Sequence, residues 1–309
     1  MEKQDIVIIG GGPAGLAAGI YASRAALKVT LLEQGMPGGL MANTEIIENY
    51  PGFAEGIGGP ELTMRMQEQA VRFGLQIDNT GVECIKSTGK EFEIKTDEDT
   101  ISSKTVILAS GASPRWLNVK GEKEFHGKGV SYCATCDGAF FKDKTVAVVG
   151  GGDAAVEEAL FLTKFAEKVY IIHRRDELRA TKVIQSKALQ NSKIKIEWNS
   201  IVDEIKGSST VENIMLRDTQ DNSTRELHVD GIFIYVGTKP SSELVADMAE
   251  LDPKGYIVTD DEMKTSQPGL FAAGDVRQKL LRQVVTAVAD GAIAAFAAEK
   301  YLEDNAAKK

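Results

Sequence analysis

Hydrophobic positions along the chain gather into short unbroken runs that end in glycine. Ile6-Val-Ile-Ile9 is one, followed at once by Gly10, Gly11 and Gly12. A run of this length without alternation reads as a parallel strand buried on both faces, since neither face then needs polar residues. Pro13 to Leu27 follows with Ala, Leu and Ile at helical spacing, and Val29-Thr-Leu-Leu-Glu33 is the next strand. Together they make a βαβ unit of about 30 residues. Gly35 to Gly59 is rich in Gly and Pro and reads mostly as loop. Pro60 to Phe73 reads as a helix with Pro at its start and Gly74 at its end. Residues 75–105 alternate apolar and polar positions, which predicts short strands, and Thr105 to Gly111 is a further buried strand running into glycine.

The pattern then restarts. Thr145-Val-Ala-Val-Val149 reads as a strand, Ala154 to Phe165 as a helix and Lys168-Val-Tyr-Ile-Ile172 as a strand, a second βαβ unit with the motif order of the first. Ile232 to Val236 is another strand, and Gly237-Thr-Lys-Pro240 reads as a linker. Gly255 to Asp275 returns to the strand-and-glycine style of the first region, and Arg282 to Tyr301 is Ala-rich and helical. The expected fold class is α/β, with two Rossmann-like domains, the second inserted into a discontinuous first. The expected boundaries are 1–114 and 244–309 for the first domain and 115–243 for the insert.

Length supports this division, because 309 residues are long for one core. With 43% hydrophobic and 26% charged residues the composition is that of ordinary globular proteins. A net charge of −9 argues against a nucleic-acid footprint, which needs clustered excess Lys and Arg. No apolar run reaches the roughly 18 residues needed to span a bilayer. Strand Ile6–Ile9 follows the first residues with no signal-peptide pattern, so a cytoplasmic location is expected. Three cysteines, Cys84, Cys133 and Cys136, are too few for a secreted disulfide framework.

The candidate chemistry lies at the strand ends. In Gly10-x-Gly12-x-x-Gly15 the first glycine permits a tight turn, the second lets the backbone approach a pyrophosphate and the third lets helix and strand pack closely. Glu33, 18 residues after Gly15, stands where a carboxylate accepts from an adenosine ribose hydroxyl and repels a 2′-phosphate. Gly150-x-Gly152-x-x-Ala155 repeats the turn, but His173, Arg174, Arg175 and Arg179 occupy the region that is acidic in the first. Guanidinium binds phosphate bidentately, so this second turn should prefer NADP. The competing reading is a solvated helix start whose arginines pair with Asp176 and Glu177.

Between the two turns lies Cys133-Ala-Thr-Cys-Asp137. A Cys-x-x-Cys pair closes a small disulfide and stores two electrons. A structural zinc site would need four ligands, and there is no second paired motif, so no metal is expected. Inert core cysteines are the other alternative, set against polar neighbours Ser131, Thr135 and Asp137. Asp137 reads either as a proton donor and acceptor or as a helix N-cap. Cys84 reads as a core residue. One nucleotide turn can hold a flavin and the other a nicotinamide, which with the pair outlines an electron route.

These motifs, with Glu48-Asn-Tyr-Pro-Gly52, Ala109-Ser-Gly111, His173-Arg-Arg-Asp176, Ala273-Gly-Asp275 and Arg282-Gln-Val284, make the chain resemble the low-molecular-weight thioredoxin reductases over nearly its whole length. The resemblance implies an FAD domain carrying an inserted NADPH domain, a homodimer, and thioredoxin as the partner, with no membrane or nucleic-acid ligand. It places Gly10, Gly12, Pro13, Ala14, Gly15, Glu33, Gln34, Gly39, Leu40, Asn43, Asn49, Ala109, Gly111, Gly274, Asp275, Arg282, Gln283 and Val284 at FAD. It places Gly150, Gly152, Asp153, Ala154, Ala155, His173, Arg174, Arg175 and Arg179 at NADPH. Cys136 is then expected to face the flavin, Cys133 to attack the partner disulfide and Asp137 to act as acid and base. Many members read Gly-Gly-Gln where this chain has Gly38-Gly39-Leu40, which departs from the pattern at Leu40. The alternative is a related dithiol or disulfide flavoprotein with another electron donor or a small dithiol substrate. A ferredoxin-fed version would have lost the basic cluster that follows the second turn.

Overall fold

The computed structural model describes residues 3–44 and 46–307; the side chain of Cys136 lies outside the described residues. The chain divides into two units, Met1–Ser113 with Lys239–Lys309, and Pro114–Thr238. The segments through which it passes from one to the other, Ala112–Pro114 and Thr238–Pro240, form a two-stranded sheet of their own.

In the first unit strands Gln76–Asp78, Val29–Leu32, Lys3–Ile9 and Thr100–Leu108 lie in that order, all parallel. Strand Thr100–Leu108 is shared. Its first half pairs antiparallel with Phe92–Thr96, which continues to Val82–Ser87, while its second half pairs parallel with Leu270–Ala272. Both faces of the parallel strands are covered, which is why Ile6–Ile9 reads as an unbroken apolar run. Ile6, Ile8, Leu31, Ile107 and Phe271 face helices Pro13–Arg24, Gly59–Arg72 and Val284–Ala306. Val7, Ile9, Leu32, Val106 and Leu108 face Ile85, Phe92 and Ile94 of the antiparallel strands. The first and last helices meet closely: a Cβ on Gly291 would lie 2.0 Å from the Ala14 carbonyl oxygen.

The second unit repeats the plan. Strands Ile194–Glu197, Lys168–Ile172, Thr145–Val149, Gly231–Ile234 and Val130–Ser131 form one parallel sheet in that order. Val146, Val148, Val169, Ile171 and Phe233 pack toward helix Asp153–Leu162. Ala147, Val149, Ile172, Ile232 and Ile234 pack toward Val202, Ile205, Val211, Ile214 and Leu216. Those last residues belong to a three-stranded antiparallel sheet, Ser200–Gly207, Val211–Asp218 and Thr224–His228. Each unit therefore has helices, a parallel sheet and an antiparallel sheet as three layers, the expected Rossmann-like class.

Candidate functional site

Three chemical features stand at carboxyl ends of parallel strands, where open α/β sheets place their ligands. The first is the turn after strand Lys3–Ile9. Gly10 has φ +106°, and a Cβ there would lie 2.4 Å from the Ala109 carbonyl oxygen. A Cβ on Gly15 would lie 1.9 Å from the Gly10 carbonyl oxygen, so only glycine lets the helix start this close. Around Gly12 the space is open, with no atom within 4 Å of where a Cβ would stand. Pro13 begins the helix, and no side chain caps its N-terminus. The first-turn N–H groups and the helix dipole are thus left for an anion. Glu33 is fixed against this turn, accepting from the Gly11 N–H at 2.7 Å and the Gly35 N–H at 2.9 Å.

Other parts of the chain reach the same turn. The Gly38 N–H donates to the Gly11 carbonyl at 2.8 Å, which brings Gly39 beside Gly12. Gly274, at φ +80°, rests on Ala14 and donates to buried Asp290 at 3.1 Å. Asp290 also receives Lys279 at 2.9 Å and Arg277 at 3.3 Å. Asp275 follows, with a buried Oδ1 that has no hydrogen-bond partner and lies 3.9 Å from the Lys279 ammonium. The Arg282 guanidinium stacks 3.9 Å from the Tyr256 ring centre. Gln283 caps helix Val284–Ala306 in a capping box with Thr286, and its Oε1 accepts from Asn49 at 3.0 Å. Gly111, at φ +66°, lies just beyond Ala109. Gln34, Leu40 and Asn43 are exposed. An uncapped helix start, an anchored ribose-side carboxylate and an unpartnered buried carboxylate oxygen together fit a dinucleotide flavin.

Burial pushes the Asp275 carboxyl above its usual range and nearby Asp290 adds to this, while Lys279 and Arg282 oppose it. Folded Asp275 thus keeps its proton to higher pH than the unfolded residue does, and its contribution to stability falls as pH rises through that window. In flavin-free protein, Asp275→Asn is expected to raise the melting temperature at neutral pH. The gain should shrink as pH falls toward 3.8, the ordinary value for this carboxyl. Melting curves across pH check this; a gain independent of pH contradicts it.

The second feature is the turn after strand Thr145–Val149. A Cβ on Gly150 would lie 2.5 Å from the Tyr235 carbonyl oxygen, Gly152 is open, and Ala155 is buried beneath. No side chain caps helix Asp153–Leu162; Asp153 instead accepts from the Thr181 N–H at 2.7 Å, and Ala154 is exposed. The Arg179 and Ala180 N–H groups both donate to the Gly151 carbonyl, at 2.7 and 3.0 Å, folding the segment after strand Lys168–Ile172 back onto the turn. Arg174, Arg175 and Arg179 are exposed and form no ion pair among the described residues, so Asp176 and Glu177 do not engage them. His173 is placed differently. It is 4% exposed, wedged where a Cβ on Gly151 would come within 2.3 Å of its ring, and its Nε2 has no partner. Burial lowers its pKa and the charges of Arg179 and Arg174 lower it further, against hydrogen bonds with Glu177 and Gly150. His173 is therefore a neutral support of the turn near pH 7, and the exposed cations are the three arginines.

The third feature adjoins the second in the same sheet. Strand Val130–Ser131 leads through Cys133 into the single helical turn Ala134–Asp137. The Ser131 hydroxyl accepts from the Cys133 N–H at 3.0 Å and donates to Asp137 Oδ2 at 2.6 Å. Cys133 Sγ lies 3.4 Å from the Thr135 hydroxyl. Asp137 makes no side-chain cap to the following turn Gly138–Phe141, so the N-cap reading fails and its carboxylate is held by Ser131 instead. Cys136 falls outside the described side chains. Cys84 is half-buried and free.

Tyr235, which the motifs did not single out, links the two features of this sheet. Its carbonyl packs under Gly150, and its hydroxyl accepts from the Ala134 N–H at 2.8 Å. Burial, helped by the charges of Glu158 and Asp137, holds its phenol well above the usual pKa. The sequence signal reached only to an aromatic near the end of the buried run Ile232 to Val236; its place between the two chemical turns comes from the sheet order.

A strand-end glycine turn in each of two Rossmann-like units, with a Cys-x-x-Cys turn in one of them, is an arrangement shared by known enzymes. Residues 4–291 match the family described as pyridine nucleotide-disulphide oxidoreductase. The chain belongs to that family. It is 50% identical over 306 residues to a thioredoxin reductase of Peptoclostridium litorale, covering 97% of each chain. It is 48% identical over 302 residues to that of Bacillus subtilis, covering 97% of this chain and 94% of the relative. A crystal structure of Lactococcus lactis thioredoxin reductase matches with a TM-score of 0.95 at 47% identity, covering 97% of this chain and 99% of that one. The resemblance carried by the motifs is borne out: the chain is an oxidoreductase similar to thioredoxin reductases.

Proposed function

We propose that this oxidoreductase transfers electrons from NADPH through FAD and a Cys133–Cys136 disulfide to oxidised thioredoxin, as a cytoplasmic homodimer. The observation that carries this reading is the meeting of the Cys133 turn and the basic second glycine turn at one sheet end, joined by Tyr235. The disulfide-bonded state of Cys133 and the free state of Cys84 support the pairing of Cys133 with Cys136.

Each group has a part. The first-turn N–H groups of helix Pro13–Arg24 hold the FAD diphosphate, Glu33 the adenosine ribose, and Asp275 a hydroxyl of the ribose or ribityl chain. When bound, FAD supplies the exchange between hydride and dithiol that no side chain performs. The helix start at Asp153 holds the NADPH diphosphate, and Arg174, Arg175 and Arg179 the 2′-phosphate. The Cys133 thiolate attacks one sulfur of the thioredoxin disulfide, whose other sulfur leaves as a thiolate and takes a proton. Cys136 then displaces the bound thioredoxin, restoring the Cys133–Cys136 disulfide and releasing the dithiol. Asp137 holds or gives the proton at its carboxyl, oriented by Ser131. The purified protein is expected to be yellow, to bleach on NADPH titration, and to recover its colour with oxidised thioredoxin. A colourless protein, or one indifferent to thioredoxin, overturns the reading.

Cofactor choice is testable on the same footing. NADPH is expected over NADH by at least about tenfold in kcat/KM, since one charged-group contact contributes roughly 1.5 to 3 kcal/mol. The double variant Arg174→Ala, Arg175→Ala should lose most of that preference. Unchanged discrimination would remove the arginines from the assignment.

A further inference from the structure

Glu122 is a buried carboxylate that the redox chemistry above does not use. It is 1% exposed and forms no ion pair among the described residues. A buried charge without a cation persists only when its lone pairs are filled by donors. Here Oε1 accepts from the Leu117 N–H at 2.7 Å and the Tyr132 hydroxyl at 2.8 Å, and Oε2 accepts from the Asn118 N–H at 2.6 Å. Asn118 stands at φ +60°, which turns its N–H and that of Leu117 toward the carboxylate. Burial and the Glu122 charge raise the Tyr132 pKa, so the phenol remains a donor. The ring of Tyr132 also packs on Trp116 and His126, with centroids at 5.3 and 5.6 Å.

These contacts have a direction along the chain. Pro114 begins the second unit, Leu117 and Asn118 follow within four residues, and Tyr132 immediately precedes Cys133. On the other side of Tyr132, Ser131 holds both the Cys133 N–H and the Asp137 carboxylate. Cys133 is therefore approached through two consecutive anchored residues, one tied to Asp137 and one, through Glu122, to Leu117 and Asn118.

We infer that Glu122 and Tyr132 are positioning residues that splint the opening segment of the inserted unit, at Leu117 and Asn118, to the cysteine turn and so hold Cys133 in place. This rests on the reading of Cys133 as the attacking thiol. Tyr132→Phe keeps the ring and its stacking but removes the donor. It is expected to lower kcat for thioredoxin reduction by roughly ten- to a hundredfold, the scale on which a misplacement of about 1 Å acts. Flavin reduction by NADPH and the KM for thioredoxin should hold, while the melting temperature falls modestly because the buried carboxylate loses one of its three donors. Hydrogen exchange at the Cys133 and Ala134 amides should accelerate in Tyr132→Phe, while the Leu117 and Asn118 amides stay protected. In Glu122→Gln exchange at the Leu117 or the Asn118 amide should accelerate, because the two N–H groups bond different carboxylate oxygens and an amide has only one accepting oxygen. If Tyr132→Phe turns over normally, or loses activity with unchanged exchange at Cys133 and Ala134, the splint is wrong. A Cys133→Ser control separates the failures: if that variant still reduces thioredoxin, the reading of the thiol has failed, and not the splint.

Discussion

In the Cys133→Ser variant, thioredoxin reduction is expected to fall by more than about 10⁴-fold, the order seen when a covalent nucleophile is removed. A serine keeps the backbone N–H bond to Ser131 and places its hydroxyl beside Thr135, but that hydroxyl cannot attack a disulfide at neutral pH. Colour and its loss on adding NADPH should persist, because the residues proposed to hold flavin and nicotinamide are others. Stopped-flow flavin reduction measured beside steady-state thioredoxin turnover distinguishes the two halves. Cys136→Ser should show the same division, and Cys84→Ser should leave turnover intact, since Cys84 lies in the antiparallel strand Val82–Ser87 of the first unit. Substantial turnover in either redox variant would falsify the relay.

Asp137→Asn is the second large effect. Proton transfer by a positioned carboxyl is typically worth about 10² to 10⁴ in rate. Asparagine keeps the size and an acceptor for the Ser131 hydroxyl, so folding and bound FAD should be normal. Had Asp137 been a cap, its loss would cost about 1 kcal/mol in stability with near-normal turnover, but no cap bond is made. Flavin reoxidation by thioredoxin followed rapidly, with melting measured in parallel, gives the answer. An early melt with normal turnover would return Asp137 to a structural role.

The buried parallel strands and glycine turns were legible because each states its physics locally. Gly10 and Gly15 are required by approaches of 2.4 and 1.9 Å to backbone oxygens, Gly12 leaves open space at the helix start, and Ile6–Ile9 are required by burial on both faces. The antiparallel sheet Ser200–His228 was missed although its strands alternate polar and apolar residues as those at 75–105 do, because the stretch carries no chemical motif. The sequence did distinguish the basic second turn from the acidic first one. It grouped His173 with the arginines, however, because adjacency along the chain does not tell a ring wedged under Gly151 from a guanidinium in solvent. Tyr235 and Glu122 escaped for a related reason. Tyr235 meets its partner Ala134 101 residues away, and nothing in a single sequence announces such a bond. Glu122 looked like one acid among many until its burial was seen.

The interrupted first unit has a consequence for synthesis. Strand Leu270–Ala272 and helix Val284–Ala306 complete its core, yet both follow the whole of Pro114–Thr238 in the chain. The inserted unit, continuous in sequence, has all its strands on hand before the ribosome reaches Lys239. Translation of the remaining segment to Lys309 takes roughly 4 to 14 s at usual elongation rates. Through that interval Ile6, Ile8 and Ile107 lack the covering of Val284–Ala306. The nascent N-terminal segment is thus the part of this protein most exposed to aggregation and to capture by chaperones.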